Sequence, residues 1–225
     1  MDPMTRLPKA TYLWAAALAL ALAVSPAALS AEESPPGTSR PGGAEQLKNR
    51  SHKSEKLPEP GSPEERDRVL ANLYGQLAKA DNAATAKALA ETIERIWQVS
   101  GSDTIDLLMA RAGLAQLADD KVLALELMDS VVRLEPKFAE GWNRRAAIFF
   151  SLERYEETVA DLARALVIDP NHYKAIQGLS VTLKELSKDE LALKAYRKLL
   201  SVYPLVPDAK PVLEELERKI EGQKI

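Results

Sequence analysis

The feature that most constrains the fold of this chain is a 34-residue repeat that begins at residue 105. When residues 105–138, 139–172 and 173–206 are placed under one another, residues of the same type align in several columns. A column of large apolar residues and a column of prolines show the pattern: Leu108, Trp142 and Ile176, then Pro136, Pro170 and Pro204. A constant period of this length predicts a chain of stacked modules that share one architecture.

Each unit carries apolar residues at helical spacing in two groups, with a short turn between them. The turns are predicted at residues 119–120, 154–155 and 188–189. A column of small residues, Ala112, Ala146 and Ser180, allows the two helices of a unit to approach closely. The proline near the end of each unit terminates the second helix, because it lacks an amide hydrogen and restrains the residue before it. The sequence therefore predicts an all-α fold of three antiparallel helix pairs, which bury their apolar faces by stacking on one another.

The period of 34 residues and these columns resemble the tetratricopeptide repeat. The resemblance implies an α-solenoid, a right-handed superhelix of antiparallel helix pairs. Arg111 and Arg145 stand where this family prefers leucine, and we interpret both as ordinary substitutions. The run W-N-R-R-A at residues 142–146, with A-E-G before it, further resembles small exported repeat proteins of α-proteobacteria, a group without a settled function.

Helical patterns also precede and follow the repeats. Residues 62–104 predict a helix pair that caps the stack, with a first helix starting at Ser62 and a second starting at Asn82. The 34-residue alignment fails in this segment, so we interpret it as a degenerate pair. Residues 207–225 predict a charged C-terminal capping helix, whose polar face is left to water.

The N-terminal part of the chain differs in composition from the rest. Residues 1–30 combine a positive start, an uncharged apolar run from Tyr12 to Val24 and small residues up to Ser30, which is the pattern of a cleavable secretory signal peptide. The apolar run is short for a bilayer span, and an uncleaved inner-membrane anchor is the alternative. Residues 31–61 are rich in proline, glycine and charge, so we expect a disordered linker. These features predict an exported protein, which is periplasmic in a bacterium with two membranes and is not inserted in the membrane after cleavage.

Composition narrows the functional class. The chain has no cysteine, which excludes disulfides and thiolate metal sites, and its net charge of -3 argues against a nucleic-acid partner. It contains neither a glycine-rich phosphate loop nor the sequences H-E-x-x-H and G-x-S-x-G. His172 falls at the turn between two repeats, where a turn or packing role is favoured over that of a catalytic base. We therefore expect no enzyme activity, no metal and no cofactor.

The resemblance also implies a partner-binding surface, because in this family the first helix of each unit lines a concave groove that holds a peptide. The residues that the apolar columns leave free on these helices are predicted to line the groove: Asp106, Met109, Gln116, Asn143, Arg144, Ala147, Phe150, Gln177, Val181 and Lys184. Some relatives hold a C-terminal carboxylate through lysines and asparagines, but Met109, Gly113 and Gly178 occupy those places here. The alternative for Arg144 is an ion pair with Glu140, four residues earlier on the same helix.

The export pattern and the absence of catalytic motifs favour a non-catalytic protein–protein interaction module. We expect an adaptor or assembly factor for envelope proteins, which binds a protein or a peptide segment in its groove. One alternative is a structural protein that self-associates, with the C-terminal helix docked on the groove of a neighbouring copy. The other alternative is an enzyme whose site lies among the helices.

Overall fold

A computed structural model describes residues 63–222, and within them the chain forms nine α-helices and no strand. The helices have the following bounds: α1 Pro63–Leu77, α2 Ala83–Trp97, α3 Asp103–Leu117, α4 Lys121–Leu134, α5 Ala139–Ser151, α6 Tyr155–Ile168, α7 Tyr173–Glu185, α8 Asp189–Val202 and α9 Ala209–Gly222. The predicted signal peptide (1–30) and linker (31–61) lie outside the described residues. The predicted all-α repeat fold is confirmed.

The three repeat units are the helix pairs α3–α4, α5–α6 and α7–α8. The small-residue column lies where the two helices of a unit meet, since Ala112 and Ala146 are buried and the Ser180 hydroxyl donates to the carbonyl oxygen of Ala192 at 2.8 Å. Consecutive units pack through neighbouring helices, so that α4 contacts α5 and α6 contacts α7. Each unit therefore relies on the next for part of its core.

The same turn closes the first helix of every unit. A residue with positive φ follows each of these helices: Asp119 (φ 56°), Glu153 (φ 58°) and Ser187 (φ 56°). The amide of the next residue then donates to a carbonyl oxygen five residues earlier, as from Asp120 to Ala115 at 2.9 Å. This is the hydrogen bond of a Schellman motif, formed here without glycine at the left-handed position. The period of 34 residues thus extends to the backbone conformation of the turns.

In the second and third units, one face of the first helix contacts the preceding unit. We call this face, and the same columns of α3, the leading face. On α5 this face includes Gly141, where an added Cβ would lie 3.0 Å from Cγ1 of Val131 on α4, and Ile148, which is 1% exposed. The residues in the same columns of α3 are Leu107 and Leu114, which are 59% and 61% exposed. The leading face is therefore an interface in the second unit and an open surface in the first.

The N-terminal helix pair, α1–α2, does not cover that open face. The predicted helix start at Asn82 is confirmed, because its side chain accepts from the amide of Thr85 at 2.8 Å. The pair packs, however, against the third unit, and its buried residues share one apolar cluster with residues of α7, α8 and α9. We expected a cap before the first unit. The structure differs because the rings that pack on Trp97, those of His172 and Tyr173, lie at the junction of the second and third units.

The C-terminal helix α9 covers the last unit. Leu216 and Ile220 on its inner side are buried, and the Tyr196 hydroxyl of α8 donates to the carbonyl oxygen of Ala209 at 3.2 Å. Glu214 and Arg218 on its outer side are exposed. The trailing end of the repeat stack is therefore closed by a helix with a polar outer face.

Candidate partner-binding surface

The ten residues predicted to line a groove lie on α3, α5 and α7, the first helices of the three units. Six of them are half-buried and keep part of their surface in contact with solvent: Asp106, Gln116, Arg144, Gln177, Val181 and Lys184. These six side chains are the part of the predicted set that a partner can reach. Their role as partner contacts stays a prediction.

The other four predicted groove residues, Met109, Asn143, Ala147 and Phe150, are at most 3% exposed. Met109 belongs to the apolar core of the first unit, and the Phe150 ring meets the edge of Tyr155 at 5.5 Å between centroids. The apolar contacts that we expected Met109 and Phe150 to offer to a partner are therefore made within the protein. Helical spacing identified the correct helices, but it did not distinguish these four buried residues from residues that face solvent.

The charged groups among the six accessible residues are already compensated. Arg144 donates from Nε to Oε1 of Glu140 at 2.8 Å, so the ion-pair alternative for Arg144 is confirmed. Lys184 donates to Oε1 of Glu215 on α9 at 2.6 Å. The Asp106 carboxylate accepts from the amide and the hydroxyl of Ser100. A partner that binds here meets a surface of low net charge, with Gln116, Gln177 and Val181 as its uncharged members.

A buried polar cluster lies at the start of α5, where Glu140 is 4% exposed. Its Oε2 accepts from the Asn143 amide at 2.9 Å and lies 3.2 Å from Nε2 of His172. Burial raises the pKa of Glu140, but the contacts with His172 and Arg144 outweigh burial and lower that pKa to about 2. Glu140 therefore remains ionised at neutral pH, in a position enclosed by its partners.

His172 has the turn and packing role that the sequence favoured. It is fully buried, and its Nδ1 accepts from the amide of Ala175 at 3.3 Å, which makes it the N-cap of α7. Because Nδ1 accepts this bond, the neutral ring carries its hydrogen on Nε2, facing Glu140. His172 thus orders the joint between the second and third units and leaves no ring nitrogen open to solvent.

Aromatic residues of the N-terminal pair cover this joint. The indole of Trp97 lies parallel to the His172 ring, with centroids 3.7 Å apart and an interplanar angle of 7°. The indole N–H donates to the Tyr74 hydroxyl at 3.0 Å, and that hydroxyl donates to Asp169. Burial and the neighbouring Asp169 carboxylate raise the pKa of Tyr74, so the phenol stays protonated and can donate. The chain of contacts joins α1 and α2 to the segment between α6 and α7.

A second set of contacts joins α2 to the start of α7. The Tyr173 hydroxyl lies 2.8 Å from Oε1 of Glu94 and 3.1 Å from the carbonyl oxygen of Ala90, both of which accept. Lys174 contributes an ion pair with the other oxygen of Glu94 at 2.7 Å. Burial raises the pKa of Tyr173, with the Glu94 carboxylate as the next cause. Spacing alone did not indicate these contacts, because α2 lies outside the 34-residue alignment.

A cavity of about 560 Å³ lies between α1 and the segments that join the units. Its lining includes Arg66, Leu70, Lys137, Ile168 and Pro170, together with Glu140 and Asp169 from the clusters above. The mixture of apolar surface with both signs of charge suits an amphipathic side chain more than a compact ion. Within residues 63–222, no group of acidic or histidine side chains has the arrangement of a metal site.

Arg145, which the sequence suggested was an ordinary substitution, links two units. It donates to both carboxylate oxygens of Asp161 on α6 at 2.7 and 2.8 Å and to Asp129 on α4 at 2.9 Å. Its guanidinium also lies over the rings of Trp142 and Phe149, at 5.0 and 5.5 Å from their centroids. A signal was present in the sequence, because Asp161 stands in a column that is otherwise apolar.

The fold and this surface define a repeat solenoid of the class that binds proteins and peptides through tandem helix pairs. None of the described helices has the length and apolar character needed to cross a membrane. The chain belongs to the tetratricopeptide-repeat family, since it is 34% identical over 163 residues to a TPR repeat-containing protein of Rhizobium etli. That match covers 72% of this chain and 78% of the relative. No family model matches the chain.

Solved structures agree on the fold. The first TPR domain of Spaghetti (RPAP3), bound to the HSP90 peptide SRMEEVD, is 18% identical with a TM-score of 0.52, and the match covers 53% of this chain and 95% of that domain. The Sgt2 TPR domain of Aspergillus fumigatus is 23% identical with a TM-score of 0.51, over 55% of this chain and 83% of that domain. These likenesses concern the repeat architecture.

Proposed function

We propose that this protein is a non-catalytic adaptor or assembly factor, which holds a segment of another protein against the first helices of its repeats. The observation that carries the proposal is the set of half-buried side chains shared by α5 and α7. Gln177 and Val181 lie on the same side of α7, and Arg144 lies on α5 with its charge balanced by Glu140. A surface of this kind favours contacts along the length of a segment over capture of a single charged group.

The segment is proposed to be internal to the partner, without a requirement for its C-terminal carboxylate. The RPAP3 domain is bound to the acidic peptide SRMEEVD, but the cations on α5 and α7 here are engaged with carboxylates of the same chain. Lys184 pairs with Glu215, and Lys174 pairs with Glu94. An added carboxylate would have to displace one of these partners, which removes most of its electrostatic gain.

The place of action is proposed to be the periplasm. The support for this part is the signal-peptide pattern of residues 1–30, with its positive start, its short apolar run and its small residues before residue 31. A cysteine-free chain also suits that compartment, because it needs no oxidation step to fold. The expected partners are therefore envelope proteins.

The non-catalytic part of the proposal is supported by the position of His172. A general base must reach the proton that it abstracts, and the imidazole of His172 is fully buried, with Nδ1 engaged as a helix cap. The pKa of its neighbour Glu140 is lowered by contacts with His172 and Arg144, so Glu140 stays ionised, and its side chain is buried. Both groups stabilise the joint between units.

The proposal is tested by photo-crosslinking in the native cell. A photoreactive amino acid is introduced at Gln177 or at Val181 on α7, and, as a control, at the exposed Lys194 on α8. We expect both α7 positions to capture the same periplasmic protein at one internal segment, which mass spectrometry identifies, and the α8 position to capture none of it. Capture that is equal from all three positions, or fractionation of the protein to the cytoplasm, would contradict the proposal.

A binding measurement then separates an internal segment from a C-terminal one. The crosslinked segment is synthesised as a peptide with its carboxyl group amidated, and its binding is measured by calorimetry. We expect amidation to leave the affinity unchanged and Val181→Glu to weaken it at least about tenfold, which corresponds to about 1.4 kcal/mol. Lys194→Glu is the matched control and is expected to bind as the unchanged protein does. Loss of binding on amidation would show that the carboxylate is required.

A further inference from the structure

The helix α3 carries an apolar strip that nothing in the described chain covers. Leu107, Leu114 and Leu117 are 59%, 61% and 60% exposed, and their spacing places them along one side of the helix. The opposite side of α3 is also apolar, since Ile105 and Met109 are buried there. An exposed apolar strip along a helix marks an interaction surface.

The strip coincides with the leading face, which is buried in both later units. The column of Leu107 contains Gly141 and Ala175, and the column of Leu114 contains Ile148 and Thr182. All four of these residues are buried, Ala175 and Thr182 completely. The strip therefore occupies the columns that form the interface with the preceding unit in the second and third units.

The chain's own N-terminal pair does not supply the missing cover. Trp97 is stacked on His172 and Tyr74 is bonded to Asp169, so both α1 and α2 are engaged with the joint before the third unit. Uncovering that joint would expose Trp97, which is 5% exposed in the structure. Neither helix of the pair is therefore free to cover the strip.

Head-to-tail stacking of a second copy does not fit either. The trailing end of the third unit is closed by α9, whose Glu215 is bonded to Lys184. In addition, the close approach of two units requires a small residue where Gly141 lies, because a Cβ there would come within 3.0 Å of Val131. Leucine at position 107 is too large for the same approach. An open-ended array of stacked copies is therefore disfavoured.

We propose that the strip is the interface of a homodimer, in which α3 packs antiparallel against α3 of a second copy. A twofold axis midway between Leu107 and Leu114 places Leu107 of each copy against Leu114 of the other, so the strip is complementary to itself. Arg111 is the only charged residue between positions 107 and 118. The Arg111 side chains of both copies lie near the axis, so each charge must point outwards into water while its long apolar stem covers leucine surface.

The first test measures mass against concentration for the purified full chain, by analytical ultracentrifugation from about 1 μM to about 1 mM. We expect a reversible monomer–dimer equilibrium with no larger species. Leu107→Lys and Leu114→Glu are each expected to weaken the dimer at least about tenfold. Both changes fall on exposed side chains, so circular dichroism and the thermal midpoint are expected to stay close to those of the unchanged chain.

The decisive test mixes the two variants. In a mixed dimer of the proposed geometry, the lysine introduced at position 107 of one chain would face the glutamate introduced at position 114 of the other, while the second contact would keep its two leucines. We therefore expect the mixture of Leu107→Lys and Leu114→Glu to dimerise more tightly than either variant alone, with 1:1 composition. Leu191→Lys, which changes a leucine that is 51% exposed on α8, is the matched control and is expected to dimerise normally.

Three results would overturn the proposal. The first is a chain that stays monomeric over the whole concentration range. The second is a dimer that neither variant weakens, which would place the interface elsewhere. The third is a mixture in which affinity does not recover, which would exclude antiparallel pairing of the two strips and leave a different occupant for this face.

Discussion

The helices α3 and α5 occupy the same position in consecutive repeat units, yet their burial is opposite to what their side chains suggest. α3 exposes three leucines to solvent, whereas α5 buries Glu140 and Asn143 almost completely. α5 has a unit on each side and the N-terminal pair near its start, whereas α3 has a neighbouring unit on one side only. The number of neighbours decides which residues are buried in this fold, and the hydrophobic pattern does not decide it alone.

The difference also shows how a charge is tolerated inside the stack. Glu140 is balanced by Arg144 and accepts from Asn143, so its carboxylate has partners in place of water. The leucines of α3 carry no charge to balance, but they leave apolar surface that a second molecule can cover. The buried polar groups of α5 have partners within the chain, whereas α3 keeps apolar surface that is available for association.

The largest expected effect is at the aromatic contact that fixes the N-terminal pair. Trp97→Ala removes a 5% exposed indole from its stack on His172, and we expect a loss of about 3 to 5 kcal/mol in the free energy of unfolding. Denaturation in guanidinium chloride measures the loss, and limited proteolysis should show earlier cleavage within residues 63–102. Trp97→Phe keeps a ring against His172 and is expected to lose less than half as much. A loss below about 1 kcal/mol for Trp97→Ala would show that the pair is not docked at this joint.

The next prediction compares one column in the two helices. Ile148→Ala on α5 removes a 1% exposed side chain, and we expect a loss of about 3 kcal/mol. Leu114→Ala on α3 changes a side chain that is 61% exposed, and at low protein concentration we expect no more than about 0.5 kcal/mol. Thermal and chemical denaturation measure both. Equal losses for the two variants would mean that the leading face of the first unit is covered within the monomer.

Low pH should destabilise the fold by protonating Glu140 on α5. Its pKa is lowered from 4.5 in the unfolded chain to about 2 in the fold, so the ionised carboxylate stabilises the native state at any pH above 4.5. This contribution is lost as pH falls from 4.5 towards 2. Unfolding measured across that window should show a weaker pH dependence in Glu140→Gln than in the unchanged chain. An identical pH dependence in the two proteins would contradict the role of Glu140.

The smallest predicted loss concerns the two arginines of one column. Arg145→Lys removes the bidentate hydrogen bonds to Asp161 and part of the contact with Trp142. We expect the free energy of unfolding to fall by about 1.5 kcal/mol. Arg111→Lys on α3 changes an exposed side chain and should leave the free energy of unfolding within about 0.5 kcal/mol. Urea denaturation of the two variants side by side measures the difference. A similar loss in both would remove the distinction between the helices that we draw here.

Much of the fold could be predicted from the sequence, because the repeat period is a property of spacing. The columns of Leu108 and Pro136 marked the helix pairs, and the helix start at Asn82 follows from its capping side chain. The candidate surface was predicted less well. Met109 and Phe150 satisfy the same helical spacing as accessible residues, and spacing resolves a helix face only to about one residue, or about 100° of rotation. Whether such a residue touches solvent depends on the helix packed beside it.

Contacts between distant parts of the chain were beyond prediction for a related reason. Trp97 and His172 are far apart in sequence, and the 34-residue alignment gives no register for a pair that lies outside the repeat. The stack of Trp97 on His172 and the bond from Tyr74 to Asp169 depend on where α1 and α2 dock. Arg145 is the intermediate case, because its charge and that of Asp161 stand in columns where apolar residues are usual, and a paired departure of that kind is visible in the sequence.

The sequence by itself determined the architecture: a period of 34 residues with fixed apolar and proline columns specifies tandem helix pairs, since local spacing sets both the helix faces and the turns. The tertiary structure alone decided where the N-terminal pair docks, and therefore which face of the first unit stays open. The reason is that repeat units offer nearly equivalent surfaces. The choice among them depends on the particular side chains that meet across each joint, and these are brought together only when the chain is folded.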